Sequence, residues 1–175
     1  MKKLYFVRHG LSEMNLQGLI AGSSETPLTA KGKAQAKAAG QQAKDLSIDY
    51  IVSSPQSRAL ETAQIIAKEI GYPTDKIHIN DLLVERHYGV LEGTPWLPDM
   101  NLDGIADAET LDTILERSKL AIEFLKSIEA DNILVVSHGG IGRAMRHHLV
   151  PDMPFTNTSS NSKTKLNNAE VVQWI

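Results

Sequence analysis

Two histidines and two arginines stand where short apolar runs stop. The run 4–7 leads straight into Arg8-His9-Gly10, the run 50–54 into Pro55 and then Arg58, and the run 133–138 ends in Ser137-His138 before Gly139-Gly140. These are residue types that handle phosphate. Guanidinium forks match its oxygens, imidazole can attack phosphorus, and glycine lets the backbone come close. Arg58 falls in the first turn of an expected helix, where a cation opposes the helix dipole by about 0.3 to 1 kcal/mol. A cation so placed points to an anion beside it, and the unpaired N–H groups of that helix end would add a preformed oxyanion site. His9 and His138 with a carboxylate such as Glu85 would also make a familiar zinc or iron ligand set. Arg8 and Arg58 argue against it, because each would repel a dication.

The elements that must position these groups can be read from the pattern. Continuous apolar runs separated by helical stretches are what a parallel sheet covered on both faces requires, and in such sheets ligands bind outside the carboxyl ends of the strands. The first strand is expected at 4–8, the second at about 50–53 and another at 132–137. Thr29 is the expected N-cap of a helix carrying Ala36, Ala39, Ala43 and Leu46, and a second helix covers about 57–70 with Ala59, Ala63, Ile66 and Ile70 on one face. The stretches 77–79 and 82–84 are ambiguous. Leu111, Leu115, Ser118, Ile122 and Leu125 define a long helix, a last helix starts near Gly140, a polar loop runs over 151–165, and 169–175 reads as a closing strand. The pattern gives one domain over 1–175.

Composition narrows the function. With 175 residues, 42% hydrophobic and 22% charged, the chain fits one soluble globular domain. A net charge of -3 leaves no global positive field for nucleic acid or an anionic membrane, so an anion must be bound by a local cluster. The absence of cysteine excludes disulfides, thiolate metal sites and a cysteine-based phosphatase. Lys2 and Lys3 precede only four apolar residues, too few for a signal-peptide core, and the expected location is the cytoplasm.

The motifs taken together resemble the histidine phosphatase superfamily, the phosphoglycerate mutase-like family. Arg8-His9-Gly10 is followed at the expected spacing by Asn15, with Ser12 where threonine is more usual. Glu25-Thr26-Pro27-Leu28-Thr29 with Gly32 and Gln35 resembles the family's Asp-x-Pro-Leu-Thr stretch, with Glu for Asp. Ser53-Ser54-Pro55-Gln56-Ser57-Arg58-Ala59 with Thr62-Ala63, Ser137-His138-Gly139-Gly140 with Arg143, and Asn168-Ala169 complete the series. A lone Arg-His-Gly is weak; four motifs in order are specific. The resemblance implies a three-layer α/β/α sandwich with a mostly parallel sheet, a small phosphorylated metabolite as substrate, and no metal or other cofactor. It makes His9 the nucleophile, Arg8, Arg58 and His138 the phosphate clamp, and Glu85 the acid. Asn15, Gly139, Arg86 and Tyr88 match positions expected to contact substrate.

The residue types agree with those roles. Phosphoryl transfer needs in-line positioning and neutralisation of spreading charge, which arginines can supply without a metal. Attack requires neutral imidazole, which neighbouring guanidinium charges favour at His9. Glu85 would protonate the leaving alcohol and then activate water. The family's mutases are longer and carry basic residues after the acid. Here no Lys or Arg lies between Arg86 and Arg117, and Glu92, Asp99, Asp103, Asp107, Glu109, Asp112 and Glu116 do. That lid is expected to repel a second anionic group, with Trp96, Leu97 and Met100 as an apolar cap and Glu92 as an exposed carboxylate. The expectation is therefore a phosphomonoester hydrolase, against a phosphoglycerate mutase, a protein phosphohistidine phosphatase and a non-catalytic phosphate-binding protein. Oligomeric state and physiological substrate are not encoded in these patterns.

Overall fold

Alternate residues of the first strand go to opposite sides of the molecule. Leu4 and Phe6 join one core, Tyr5 and Val7 another, and all four are at most 4% exposed. This is why the strand reads as unbroken apolar sequence: both faces of its sheet are covered. The computed structural model describes residues 2–150, 152–159 and 164–175. Strands β1 (Lys3–Arg8), β2 (Tyr50–Ser53), β3 (His78–Ile79), β4 (Asn132–Ser137) and β5 (Val171–Gln173) form one sheet in the order β3-β2-β4-β1-β5. β5 alone pairs antiparallel, against β1.

Helices cover both faces, giving the expected three-layer α/β/α sandwich. α2 (Ala30–Ala43) and α3 (Ser57–Ile70) lie on one side, where Ala39, Ala43, Ala59, Ala63 and Ala67 let two helices pack closely on Ile51, Leu134 and Val136. α4 (Leu111–Ser127) and α5 (Gly139–Leu149) lie on the other, packing Ile114, Leu125, Ile141 and Met145 against Phe6, Ile133 and Val135. A short α1 (Glu13–Leu16) follows the first strand. Thr29 caps α2 as expected, its hydroxyl accepting the Gly32 N–H at 2.9 Å.

The differences from the sequence reading are local. The buried stripe of α4 is Ile114, Ser118, Ala121, Ile122 and Leu125, so Leu111 and Leu115 flank the core rather than enter it. The stretch 77–79 yields the edge strand β3, while 82–84 becomes a turn that buries Leu83. β5 is shorter than 169–175, although Trp174 N–H still reaches Leu4 O at 2.8 Å. Within the expected loop 151–165, Pro151 and residues 160–163 lie outside the described residues. No helix among the described residues is long and apolar enough to cross a membrane.

The topology aligns the strand ends that carry the chemistry. β1 pairs with β4 so that Arg8 faces Ser137, and β2 pairs with β4 so that Ser53 faces Val136. The ladders continue one step further, with His9 N–H on Ser137 O at 2.9 Å and Ser54 N–H on Val136 O at 3.0 Å. His9, Ser54 and His138 therefore leave the sheet side by side at its carboxyl edge, where ligands of open α/β sheets bind.

Candidate active site

His9 is 2% exposed, and its two ring nitrogens have opposite partners. Nδ1 lies 2.7 Å from Gly10 O, which can only accept, while Nε2 receives the Arg58 Nε–H at 3.3 Å, which can only donate. The ring is thus neutral, protonated at Nδ1, with a lone pair on Nε2. Burial, then the charges of Arg8 and Arg58, hold its pKa well below the ordinary histidine value, against the opposing pull of Gly10 O. The turn beneath it is held from several sides. Asn168 Nδ2 donates to His9 O at 2.9 Å, and Gly10 N–H donates to the Thr62 hydroxyl at 3.0 Å. Gly10 also packs against Gly32 of α2 so closely that a side-chain carbon at position 10 would lie 2.3 Å from Gly32 O.

Arg58 is 1% exposed and anchored at both terminal nitrogens, donating to Ser24 O and Gly22 O at 2.8 Å each. His138 is fully buried, and its Nε2 meets the Ser54 hydroxyl at 2.8 Å. Burial first, then Arg58, His9 and Arg8, hold its pKa well below the ordinary value, so it is neutral as well. The two imidazoles are 5.2 Å apart. Arg8 donates through one terminal nitrogen to Leu166 O at 3.0 Å. Its Nε and His138 Nδ1 are both buried with no hydrogen-bond partner. Buried polar atoms are rarely left so, and an oxyanion is a partner that a guanidinium and an imidazole N–H could both take.

Glu85 faces this group from the segment after the buried turn. Its carboxylate accepts Gly140 N–H and Ile141 N–H at 3.0 Å each and Arg86 N–H at 2.8 Å, so it caps the start of α5. Gly140 leaves room for this contact, since a side-chain carbon would lie 2.5 Å from Glu85 Oε1 and 2.8 Å from the Tyr88 hydroxyl and would push them aside. Two long side chains fix the segment. Gln56 Oε1 accepts Glu85 N–H at 2.7 Å, and Arg117 donates to Leu82 O and Val84 O at 2.8 and 2.9 Å while paired with Glu109. The pocket in front measures about 550 Å³ and includes Arg8, Asn15, Glu85, Tyr88, Trp96, Gly139 and Asn168 in its wall. Burial, then Glu85, pushes the Tyr88 hydroxyl pKa up, keeping it protonated.

Several expectations need correction. Arg86 does not reach the pocket: it is 2% exposed and donates to Glu109 O and Asn157 Oδ1, bracing the lid from behind. The N-terminus of α3 is not an open oxyanion site, because Glu25 already accepts Ser57 N–H at 3.1 Å and the Ser57 hydroxyl. The acidic stretch does not face the substrate. Between His87 and Glu116 only Tyr88 and Trp96 line the pocket, while Glu109 pairs with Arg117 and Glu92 turns to Ser23, Ser24, His87 and Tyr88 N–H. Of the expected apolar cap, Trp96 lines the pocket edge-on to Tyr88; Leu97 is 58% exposed, and Met100 packs beside Ile20 and Leu102.

Sequence reasoning left other wall residues without a role. Arg143 and Lys165 line the pocket, as do Leu166, Asn168 and Ser159. Arg143 lies within the second histidine motif, a signal that could have marked it. Lys165 sits in a loop without periodicity, which carries no such signal.

The chain matches the model of the histidine phosphatase superfamily (branch 1) over residues 4–173. It is 36% identical over 151 residues to a Citrobacter koseri protein named "Probable phosphoglycerate mutase GpmB", covering 79% of this chain and 70% of that one. Among solved structures, a mutant phosphoserine phosphatase from Entamoeba histolytica in complex with phosphoserine is similar with a TM-score of 0.81 and 29% identity, covering 100% of this chain and 91% of the other. The alpha-ribazole phosphatase from Shigella flexneri is similar with a TM-score of 0.73 and 26% identity over 85% of this chain and 80% of its own.

Proposed function

The chain belongs to the histidine phosphatase superfamily, and on that premise we propose that it hydrolyses small phosphomonoesters through a phosphohistidine on His9, without a metal. The observation that carries the reading is the neutral His9 ring, unprotonated at Nε2 and 5.2 Å from the His138 ring, in a group where Arg8 Nε and His138 Nδ1 are buried without hydrogen-bond partners. Arg8, Arg58 and His138 hold the phosphoryl oxygens. His9 Nε2 attacks phosphorus, the P–O bond to the alcohol breaks, and Glu85 gives the leaving oxygen its proton. In the second step Glu85 takes a proton from water, the water oxygen attacks phosphorus, and the N–P bond breaks to release phosphate. The proton left on Glu85 serves the next cycle. Arg8 and Arg58 supply the positive charge that a dication would otherwise bring, and among the described residues no group of three or more His, Asp or Glu side chains could hold a metal.

Trp96 is 37% exposed at the pocket, and Lys165 opposite is exposed too. The pocket mouth is thus open to solvent, which favours hydrolysis over a mutase that must shelter its phosphohistidine. Mutase activity stays as a second reading because Arg143 and Lys165 could hold a second anionic group. Brief reaction with labelled substrate and an alkaline quench tests the chemistry. An acid-labile, base-stable phosphoprotein is expected in the wild type and absent in His9→Ala; label persisting in the variant refutes His9 as nucleophile. Phosphate release from simple monoesters, without added bisphosphoglycerate, separates hydrolase from mutase. Efficient conversion of 3-phosphoglycerate to 2-phosphoglycerate with far slower phosphate release reverses the assignment.

A further inference from the structure

Ser54 lies in the second arginine motif and takes no part in the chemistry above, yet its hydroxyl is the one hydrogen-bond partner of the His138 ring. That hydroxyl is fully buried and has two contacts: it accepts the Gln56 N–H at 3.3 Å and meets His138 Nε2 at 2.8 Å. An amide N–H can only donate, so the serine proton has a single acceptor among its partners, the Nε2 lone pair. A buried hydroxyl rarely leaves its proton unmet. Ser54 therefore donates to Nε2, and a neutral His138 carries its own proton on Nδ1. The backbone of Ser54 holds it in place, its N–H donating to Val136 O at 3.0 Å and its carbonyl accepting the Ser53 hydroxyl at 2.9 Å. Gln56, which steadies the hydroxyl, also donates to Gly22 O, the carbonyl that anchors Arg58, and accepts the Glu85 N–H.

The two histidines thus share a tautomer and use it in opposite ways. His9 spends its Nδ1–H on Gly10 O and keeps a lone pair on Nε2; His138 spends its lone pair on Ser54 and keeps an N–H on Nδ1, which is buried without a partner. The rings are 5.2 Å apart. Resting on the phosphatase reading, we propose that Ser54 is a positioning residue that locks His138 in the Nδ1–H tautomer, so that this ring gives a neutral N–H to a phosphoryl oxygen and does not compete with His9 as a nucleophile. With its proton on Nε2, the same ring would turn a lone pair toward the anion. Ser54 acts only through the choice of nitrogen that holds the proton.

Nitrogen NMR spectra of the wild type with labelled histidine, near neutral pH, should show His138 with a pyrrole-type Nδ1 and a pyridine-type Nε2. The reverse assignment, or a doubly protonated ring, overturns the proposal without any variant having to fold. In Ser54→Ala the His138 signals should move toward a mixture of tautomers, while His9 keeps its pyridine-type Nε2. Inorganic phosphate should bind this variant roughly 10- to 100-fold more weakly, the scale of a hydrogen bond to a charged group, and kcat/KM for p-nitrophenyl phosphate should fall in proportion. Unchanged ring signals in Ser54→Ala overturn the proposal. A serine that only supports the fold would weaken phosphate binding equally with or without the His138 ring. In the His138→Ala background, Ser54→Ala should therefore change phosphate affinity by no more than roughly 2-fold; a loss as large as in the wild type overturns the positioning role. A wild type that binds phosphate and shows the expected tautomer but releases phosphate from no ester refutes the phosphatase reading and leaves the pairing of Ser54 with His138 standing as part of a phosphate-binding site.

Discussion

Glu92 offers the sharpest test of how the site is held, because it touches none of the reacting groups. Its carboxylate accepts Ser23 N–H at 2.8 Å, Tyr88 N–H at 3.1 Å, the Ser23 and Ser24 hydroxyls, and His87 Nδ1 at 2.9 Å. It thereby ties the lid to the loop 22–24, and that loop supplies the two carbonyls that anchor Arg58. Glu92→Ala leaves two backbone N–H groups and two hydroxyls without this acceptor. At about 1 kcal/mol each, reduced where water can replace it on the exposed His87 side, the loss of stability should be about 2 to 3 kcal/mol. A slackened loop lets Arg58 tilt, and displacement on the ångström scale costs on the order of 100-fold in rate. Glu92→Gln keeps an oxygen for the N–H groups and gives the serine hydroxyls a donor, so it should cost about 1 kcal/mol and under roughly 10-fold in rate.

Urea unfolding and steady-state kinetics read these two quantities separately. Burial pushes the Glu92 carboxyl pKa up, but the hydrogen bonds from Ser23, Tyr88 and His87 outweigh it and leave it below the ordinary carboxylate value. A depressed folded-state pKa gives stability that is present above the unfolded value and lost as pH falls through the folded one. The stability gap between wild type and Glu92→Gln should therefore be constant near neutral pH and close on acidification below the usual carboxylate range. Glu92→Ala with unchanged kcat/KM and stability within about 0.5 kcal/mol of the wild type would return Glu92 to the exposed surface carboxylate that the sequence suggests.

Two further outcomes concern the chemical step. Glu85→Gln should slow alkyl phosphates by about 10² to 10⁴ while slowing phosphorylation by p-nitrophenyl phosphate much less, since that leaving group scarcely needs a proton; equal loss on both would move the proton donor elsewhere. Because His9 and His138 are held neutral well below the ordinary histidine value, the acid limb of kcat/KM that reports His9 should lie below pH 6.5. Stability should begin to fall as pH drops through about 6.5, where the unfolded chain takes up protons that the folded state refuses; an activity midpoint at 6.5 or above contradicts the burial argument.

The parts of this site that were legible in the sequence are those whose position follows from a local rule. His9, Arg8 and His138 stand at the ends of strands that had to be parallel and buried on both faces, so their meeting is a consequence of the sheet. Motif position also marked Glu85 and Tyr88, both of which line the pocket. It failed for Arg86, because adjacent residues in an extended segment point to opposite sides and spacing does not say which side is the pocket. The acidic stretch misled for a related reason. Charge along a chain has a sign but no direction; Glu92 is spent on Ser23 and Ser24, far away in sequence, and Glu109 on Arg117. The pocket's basic wall was invisible in turn because Lys165 comes from a loop whose place depends on closure of the whole fold.

The helix ends show how the same physics can point to the wrong place. An anion at the N-terminus of α3 was a sound expectation, and an anion is there, but it is the protein's own Glu25. The N-terminus of α5 is filled in the same way by Glu85. With both helix ends holding internal carboxylates, the unpartnered buried atoms at the site are Arg8 Nε and His138 Nδ1, so the proposed phosphoryl binding rests on side chains rather than on helix dipoles. The two capping carboxylates then differ in consequence. Glu25 fastens α3 beneath Arg58, whereas Glu85 faces the pocket and can exchange a contact at α5 for a proton and a leaving oxygen. On the proposed mechanism α5 belongs to the acid–base machinery: its N–H groups hold the Glu85 carboxylate at the pocket, and the proposal has them aim it at the departing alcohol and receive it again once the proton has gone.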